Sequence, residues 1–219
     1  MGIRGLWHAI TGSGKIFDPS MGQYNPVIID ATMITINICV PVSHLNDEQF
    51  EEVVRRNFKA RVDALVGTFG DIVLVFVFDP AKRPDTKIRP RPIGTLDDLR
   101  VRSFGLIHEL IIEFGHRTVE SLEGVEADHT MANLYDYCVK DNLNPIIYSE
   151  DSDMLYLVPN VSRFDFTIYN RDTVLAFLGI DLETFLAACK AAANDYNDSS
   201  MTFSRSLAKI ISTENNEEK

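Results

Sequence analysis

Apolar residues recur in two registers along this chain, and the switch between registers marks out its elements. Val27-Ile28-Ile29 ahead of Asp30, and the run from Ile72 to Phe78 ahead of Asp79, are continuous and rich in β-branched residues. That is the pattern of strands buried on both faces. Asn25-Pro26 supplies a turn signal before the first. In the intervening segment Phe50, Val53, Val54, Phe58, Val62, Leu65 and Val66 keep helical spacing. Asn46 is the candidate N-cap, with Gln49 reaching back and Gly67 as the stop. Strand, helix and strand in this order form a βαβ unit, which implies a parallel sheet with right-handed crossovers.

Residues 82–92, "KRPDTKIRPRP", contain three prolines, which excludes a regular helix or central strand and predicts an extended loop. A helix is expected over 96–114, with Leu99, Phe104, Ile107, Leu110, Ile111 and Phe114 turned inward. Thr118-Val119-Glu120 is a weaker strand candidate. A helix is predicted over 126–140 with its acids in the first turn, then a buried strand over 145–148 and an alternating edge strand over 164–169. Two short helices, 171–178 and 182–193, are parted by Gly179. The tail "STENNEEK" is polar and acidic, the composition of a disordered end. No internal repeat is present.

Composition changes this picture little, and charge changes it more. At 219 residues with 45% hydrophobic and 24% charged residues, the chain is of ordinary globular make-up, and one domain is the default. A formal charge of −11 excludes general coating of nucleic acid, which needs surplus Lys and Arg, but leaves room for a local basic groove. Cys39, Cys138 and Cys189 are far apart and form no CxxC pair; they read as core thiols in a reducing compartment. "MGIRGLW" has no apolar stretch of signal-peptide length, and the longest apolar run is too short to span a bilayer. Leu6 stands where a myristoylation motif wants Ser or Thr. The expected location is intracellular, in nucleus or cytoplasm, without a membrane.

The acids are the candidate chemistry. Ligands of open parallel sheets bind at the carboxyl ends of the strands, and Asp30, Asp79, Asp151 and Asp153 all fall at predicted strand carboxyl ends. Glu126 and Asp128 open a helix that follows a strand and face the same edge, and Asp195 after the last short helix closes the set. In "YSEDSDMLYL", Glu150, Asp151 and Asp153 occupy four positions. Two like charges about 5 Å apart repel by roughly 3 kcal/mol at an effective dielectric near 20, so a cation is expected there. Asp151 and Asp153 alternate with Ser152 so that both project toward the metal edge, while Glu150 points away or supports them. Each aspartate alone reads equally as a helix or turn cap; the conjunction of oxygen ligands without clustered His or Cys selects hard cations such as Mg²⁺ or Mn²⁺. Two such ions activate a water and stabilise the leaving oxygen of a phosphoryl displacement.

Other chemistries lack their residues. His8, His44, His108 and His116 have no evident acidic or nucleophilic partner, and His129 reads as a helix-face residue. There is no Gly-x-Ser-x-Gly elbow, P-loop or dinucleotide glycine pattern. A phosphatase nucleophile would need Asp-x-Asp after the first strand, whereas Asp30 is followed by Ala31-Thr32.

In order along the chain, "MGIRGLW", "DATMITIN", "FVFDPAKRP", "GVEADHTMANLYDY", "YSEDSDMLYL" and "CKAAANDYN" resemble six motifs of the flap endonuclease/XPG-like 5′-nuclease family. The match covers residues 1–197, about nine-tenths of the chain. It implies a PIN-like α/β fold, a central mainly parallel sheet flanked by helices, as one nuclease domain over 1–197, followed by a short helical remnant and tail over 198–219. By resemblance, Asp30, Asp79, Glu126 and Asp128 serve one metal ion and Asp151, Asp153 and Asp195 the other, with Asp128 where the family commonly has Glu. Gly2 and the backbone after it lie near the metals in that family. Lys82, Arg83, Lys87, Arg89 and Arg91 follow the second aspartate; Lys87 resembles the family lysine that contacts the scissile phosphate. A solvated basic loop is the plainer reading of those five, and their concentration in an acidic chain favours phosphate contact.

Three departures bear on substrate. Only 46 residues, 80–125, separate Asp79 from Glu126, fewer than the family's helical arch usually occupies. No glycine follows Asp195, where the family has a Gly-rich element that grips duplex DNA. Ile36 stands where cellular members often have an aromatic. "EADHTMANLY" and "FLAACKAAANDYN" resemble the herpesvirus virion host shutoff branch, whose members are mRNA endonucleases. The expected activity is therefore two-metal hydrolysis of nucleic acid phosphodiesters, leaning to RNA. The alternatives are a structure-specific 5′-flap DNA nuclease and a non-catalytic PIN-like interaction module.

Overall fold

The βαβ unit read from the sequence is present in the computed structural model, which describes residues 2–80, 95–194 and 199–217, the side chains of 95–101 and 214–217 excepted. In chain order the elements begin with α1 (Leu6–Ile10), β1 (Lys15–Ile16), β2 (Val27–Asp30), α2 (Ala31–Cys39) and α3 (Asp47–Phe69). They continue with β3 (Leu74–Phe78), α4 (Thr95–Glu113), β4 (Arg117–Glu120), α5 (Ala127–Lys140) and β5 (Ile146–Tyr148). The last are α6 (Asp153–Leu157), β6 (Asn160–Ser162), β7 (Thr167–Asn170), α7 (Arg171–Leu178), α8 (Leu182–Ala191) and α9 (Phe203–Glu217). The described residues form two compact units: a larger one from 18–80 and 95–148, and a smaller one from 2–17 and the residues after 148.

The larger unit is built on a parallel sheet in the order β5-β2-β3-β4. β2 pairs with strands on both sides, Ile29 lying opposite Phe76 and opposite Tyr148. Every β2 residue is therefore buried, which is why its sequence is apolar without alternation. Each fully buried Val or Ile contributes about 1.5–3 kcal/mol. The register puts Asp30 opposite Val77 and Phe78 opposite Glu120, so β2, β3 and β4 end together at one carboxyl edge. Phe58 of α3 lies 5.7 Å from the Phe76 ring and 5.9 Å from Phe114, stacked at 8° on the latter.

Asn46 caps α3 as predicted, its Oδ1 accepting the Gln49 N–H at 3.0 Å. Gly67 does not end the helix, however; α3 runs to Phe69 and stops at Gly70, whose φ is 90°. Phe69 is 4% exposed and meets Tyr24 edge-on at 6.4 Å. An interior glycine costs about 1 kcal/mol, less than the roughly 1.5–3 kcal/mol gained by burying that ring. β3 starts at Leu74 rather than Ile72, because the Val73 N–H is bonded to Asn25 Oδ1 at 3.0 Å.

The smaller unit carries β1, β7 and β6 in antiparallel pairing. The predicted edge strand over 164–169 resolves differently. Phe164 to Phe166 form a turn, with Phe166 at φ 63° and the Asp165 carboxylate accepting the Thr167 N–H at 3.0 Å. β7 then lies in the middle, flanked by β1 and β6. α7 ends at Gly179, φ 67°, as the sequence predicts. α8 ends at Ala191 rather than 193, since the Ala193 backbone pairs with Met201 and Arg4 at 2.8 and 2.9 Å. α9 extends through Glu217, into the stretch expected to be disordered. No Pro or Gly interrupts it, and the Ser212 and Thr213 hydroxyls donate to the Lys209 carbonyl within it. Among the described residues no helix is long and apolar enough to cross a membrane.

Candidate functional site

In the larger unit three of the predicted acids stand at the ends of β2 and β3 and at the start of α5, and two of them accept backbone hydrogen bonds. Asp30 closes β2 and caps α2, its Oδ1 accepting the Met33 N–H at 2.9 Å. Two residues on, Thr32 Oγ1 accepts the backbone N–H of Asp79 at 3.2 Å. Asp79 Oδ1 in turn accepts the backbone N–H of Ala127 at 3.1 Å. Ala127 begins α5, and Glu126 is its N-cap residue. The parallel register thus brings Asp30, Asp79 and Glu126 to one sheet edge, with Asp128 in the first turn of α5. Asp30 and Glu126 are each 5% exposed, whereas Asp79 and Asp128 are half-buried.

Helix N-termini stabilise carboxylates by about 0.3–1 kcal/mol each. That is less than the roughly 3 kcal/mol by which a close carboxylate pair repels, so the caps alone do not neutralise such a group. Oxygen donors without His or Cys suit a hard divalent cation, and the acids of this edge fit one in chemistry. Among the described residues no group of three or more His, Cys, Asp or Glu side chains is arranged to hold a metal ion. Backbone bonds to Met33 and Ala127 turn the Asp30 and Asp79 carboxylates toward α2 and α5.

In the smaller unit the crowded acids of residues 150–153 separate by role. β5 ends at Tyr148, as the sequence predicts, and Asp153 is the first residue of α6. Asp151 Oδ1 accepts the Asp153 N–H at 3.1 Å, and the Asp151 N–H donates to Ser149 Oγ at 3.0 Å. This is a side-chain-closed turn, which Asp and Ser form readily. Glu150 points elsewhere, as the sequence predicts. Its Oε2 accepts Arg163 Nη2 at 2.6 Å and Nε at 3.0 Å, and its Oε1 accepts the Phe164 N–H at 2.8 Å.

Gly2 lies against this turn. A Cβ placed there would fall on Ser152 Oγ and Asp151 Oδ1 and within 2.6 Å of the Ser152 nitrogen, so no larger residue fits without displacing the Asp151 carboxylate. The Ser152 hydroxyl also donates to the Ile3 carbonyl at 3.2 Å. Arg4, two residues on, pairs with Ala193, two residues before Asp195. Asp195 lies outside the described residues, as do Lys82, Arg83, Lys87, Arg89 and Arg91 and the loop predicted over 82–92.

Phe78 packs on His108 at 6.0 Å and Phe76 on His116 at 6.1 Å, and His8, His44 and His129 are exposed. The three cysteines are free thiols. Burial raises the pKa of each, and the Asp153 carboxylate raises Cys189 further, which keeps that thiol protonated and unreactive. Sequence reading missed Arg163, Thr32 and Trp7. Twelve residues, including α6 and β6, separate Arg163 from Glu150, and no local spacing signals the pair.

No known family model matches the chain, and no curated protein matches its sequence. Solved structures do match its fold. The catalytic core of Rad2 in complex with DNA substrate is similar at TM-score 0.72 and 21% identity over 96% of this chain and 66% of that one. Human GEN1 in complex with Holliday junction DNA is similar at TM-score 0.68 and 15% identity over 96% of this chain and 55% of GEN1. The D15 protein of bacteriophage T5, co-crystallised with metal ions, is similar at 0.63 and 14% over 86% and 75%. This chain therefore spans about two-thirds of the Rad2 core and just over half of GEN1.

Proposed function

We propose that this chain, whose fold is the PIN-like fold of the flap endonuclease/XPG-like nucleases, is a divalent-metal-dependent nuclease. The observation that carries the reading is the placement of Asp30, Asp79 and Glu126 at one strand edge, where Thr32 Oγ1 accepts the Asp79 N–H and Asp79 Oδ1 accepts the Ala127 N–H. Asp30, Asp79, Glu126 and Asp128 would hold one Mg²⁺ or Mn²⁺ ion, and Asp151, Asp153 and Asp195 a second. When bound, such ions lower the pKa of a coordinated water and neutralise charge on a phosphodiester. The chain's own part is to fix the carboxylates: Thr32 and Ala127 hold Asp79 against α2 and α5, while Ser149 and the Asp153 N–H hold Asp151. Lys87 would contact the scissile phosphate, and Lys82, Arg83, Arg89 and Arg91 would contact the strand beyond it.

The substrate leans to single-stranded RNA, on the glycine-free segment after Asp195 and the motif similarity to the host shutoff branch. A structure-specific DNA nuclease is the second reading. It is favoured by the DNA complexes in which Rad2 and GEN1 share this fold. End-labelled single-stranded RNA, single-stranded DNA and a 5′-flap duplex, incubated in parallel with Mg²⁺ or Mn²⁺, separate the two. Internal cleavage of RNA supports the first, and cleavage of the flap alone at its junction replaces it with the second. A non-catalytic module would cut none of them and would give no heat on Mn²⁺ titration.

A further inference from the structure

We propose that Arg163 is a positioning residue for Asp151, acting through Glu150 and Trp7. The inference rests on the reading of Asp151 as a metal ligand. Glu150 is a third carboxylate in a crowded run, yet both of its oxygens accept hydrogen bonds from one short segment. Arg163 supplies two of them and the Phe164 N–H the third. A planar guanidinium gripping a carboxylate in this way fixes orientation as well as charge. The Glu150 backbone is held too: Trp7 Nε1 donates to its carbonyl oxygen at 2.7 Å. The same Trp7 ring lies 5.5 Å from the Arg163 guanidinium carbon and 4.9 Å from Tyr169.

These contacts close a clamp of three elements, α1, the β6–β7 turn and the residues after β5, around the residue that precedes Asp151. Glu150 is thereby excluded as an ion ligand, and its charge is offset before a cation arrives. Asp151 and Asp153 follow on the same turn and are the acids that this clamp orients. The Arg163 and Glu150 side chains are 30% and 23% exposed, so neither is needed to fill the core. Supporting partners of metal-ligating carboxylates typically account for about 10–100-fold in metal affinity.

The test compares Mn²⁺ calorimetry and the Mg²⁺ dependence of cleavage for the whole chain and its Arg163→Met, Arg163→Lys, Glu150→Gln and Trp7→Phe variants. Arg163→Met is expected to weaken by about tenfold or more the binding of the second Mn²⁺ ion, which Asp151→Ala should remove. Its cleavage should recover at high Mg²⁺. Arg163→Lys should restore only part of the affinity, and adding Glu150→Gln to Arg163→Met should cost little more, because both remove one contact. Trp7→Phe, which keeps an aromatic ring but loses the indole N–H, should shift the Mg²⁺ requirement in the same direction by less. A lowered unfolding midpoint with unchanged Mn²⁺ affinity in Arg163→Met and Trp7→Phe would overturn the inference and leave the proposed function standing. Absence of Mn²⁺ binding by the unaltered chain would overturn both.

Discussion

Asp79 Oδ1 accepts the backbone N–H of Ala127 at 3.1 Å, so the acid that follows β3 is bonded to the residue next to Glu126, which stands at the N-cap position of α5. Under the proposed function this one side chain serves two purposes, ordering the first turn of α5 and holding an ion.

Replacing Asp79 by Ala separates these purposes by their size. The lost hydrogen bond should lower stability by about 0.5–1.5 kcal/mol, measured as a shift in urea midpoint. Hydrolysis should fall by more than the roughly 100-fold that loss of a ligand's supporting partner causes. Equal, modest losses in both would mean that Asp79 is only a cap.

Thr32 gives a finer version of the same contrast. Its Oγ1 accepts the Asp79 N–H at 3.2 Å, and valine keeps the shape while removing the acceptor. Thr32→Val should destabilise by about 1 kcal/mol and raise the Mg²⁺ concentration for half-maximal cleavage, whereas Thr32→Ser should behave as the parent does. Calorimetric Mn²⁺ affinity, unchanged in Thr32→Val, would show that the hydroxyl does not position Asp79.

The parts of this arrangement that were legible in the sequence are those with strong local signals. Val27-Ile28-Ile29 and the run before Phe78 declare buried strands, so Asp30 and Asp79 could be put at strand ends without coordinates. Glu126 and Asp128 could be assigned to the start of α5 because the helical pattern up to Lys140 is long. α1 and α6 have five residues each, and β1 and β6 two and three, lengths over which no period can be counted. The residues after β5 carry no periodic signal for that reason, so the sequence does not show that Asp153 opens a helix. Phe166 hid the β6–β7 turn, since a bulky residue at φ 63° carries none of the glycine or asparagine chemistry that marks such turns. The Arg163–Glu150 pair, formed only when that turn closes, was hidden with it.

Acid should weaken the fold partly through His116. Burial holds its imidazole below the ordinary value of 6.5, so the unfolded chain takes up a proton at higher pH than the folded protein does. The contribution is complete above pH 6.5 and is lost as pH falls from there through the depressed folded value. Urea midpoints measured across that interval should therefore decline less for His116→Gln than for the parent. Parallel declines would show that His116 titrates alike in both states.

Cleavage of end-labelled nucleic acid across a Mg²⁺ titration, by the parent chain and by Asp151→Ala, tests the central claim most directly. The account predicts cleavage by the parent that disappears with chelator, and none by Asp151→Ala at any Mg²⁺ concentration while its unfolding midpoint stays near that of the parent. Cleavage that persists in chelator, or that Asp151→Ala retains undiminished, would contradict it.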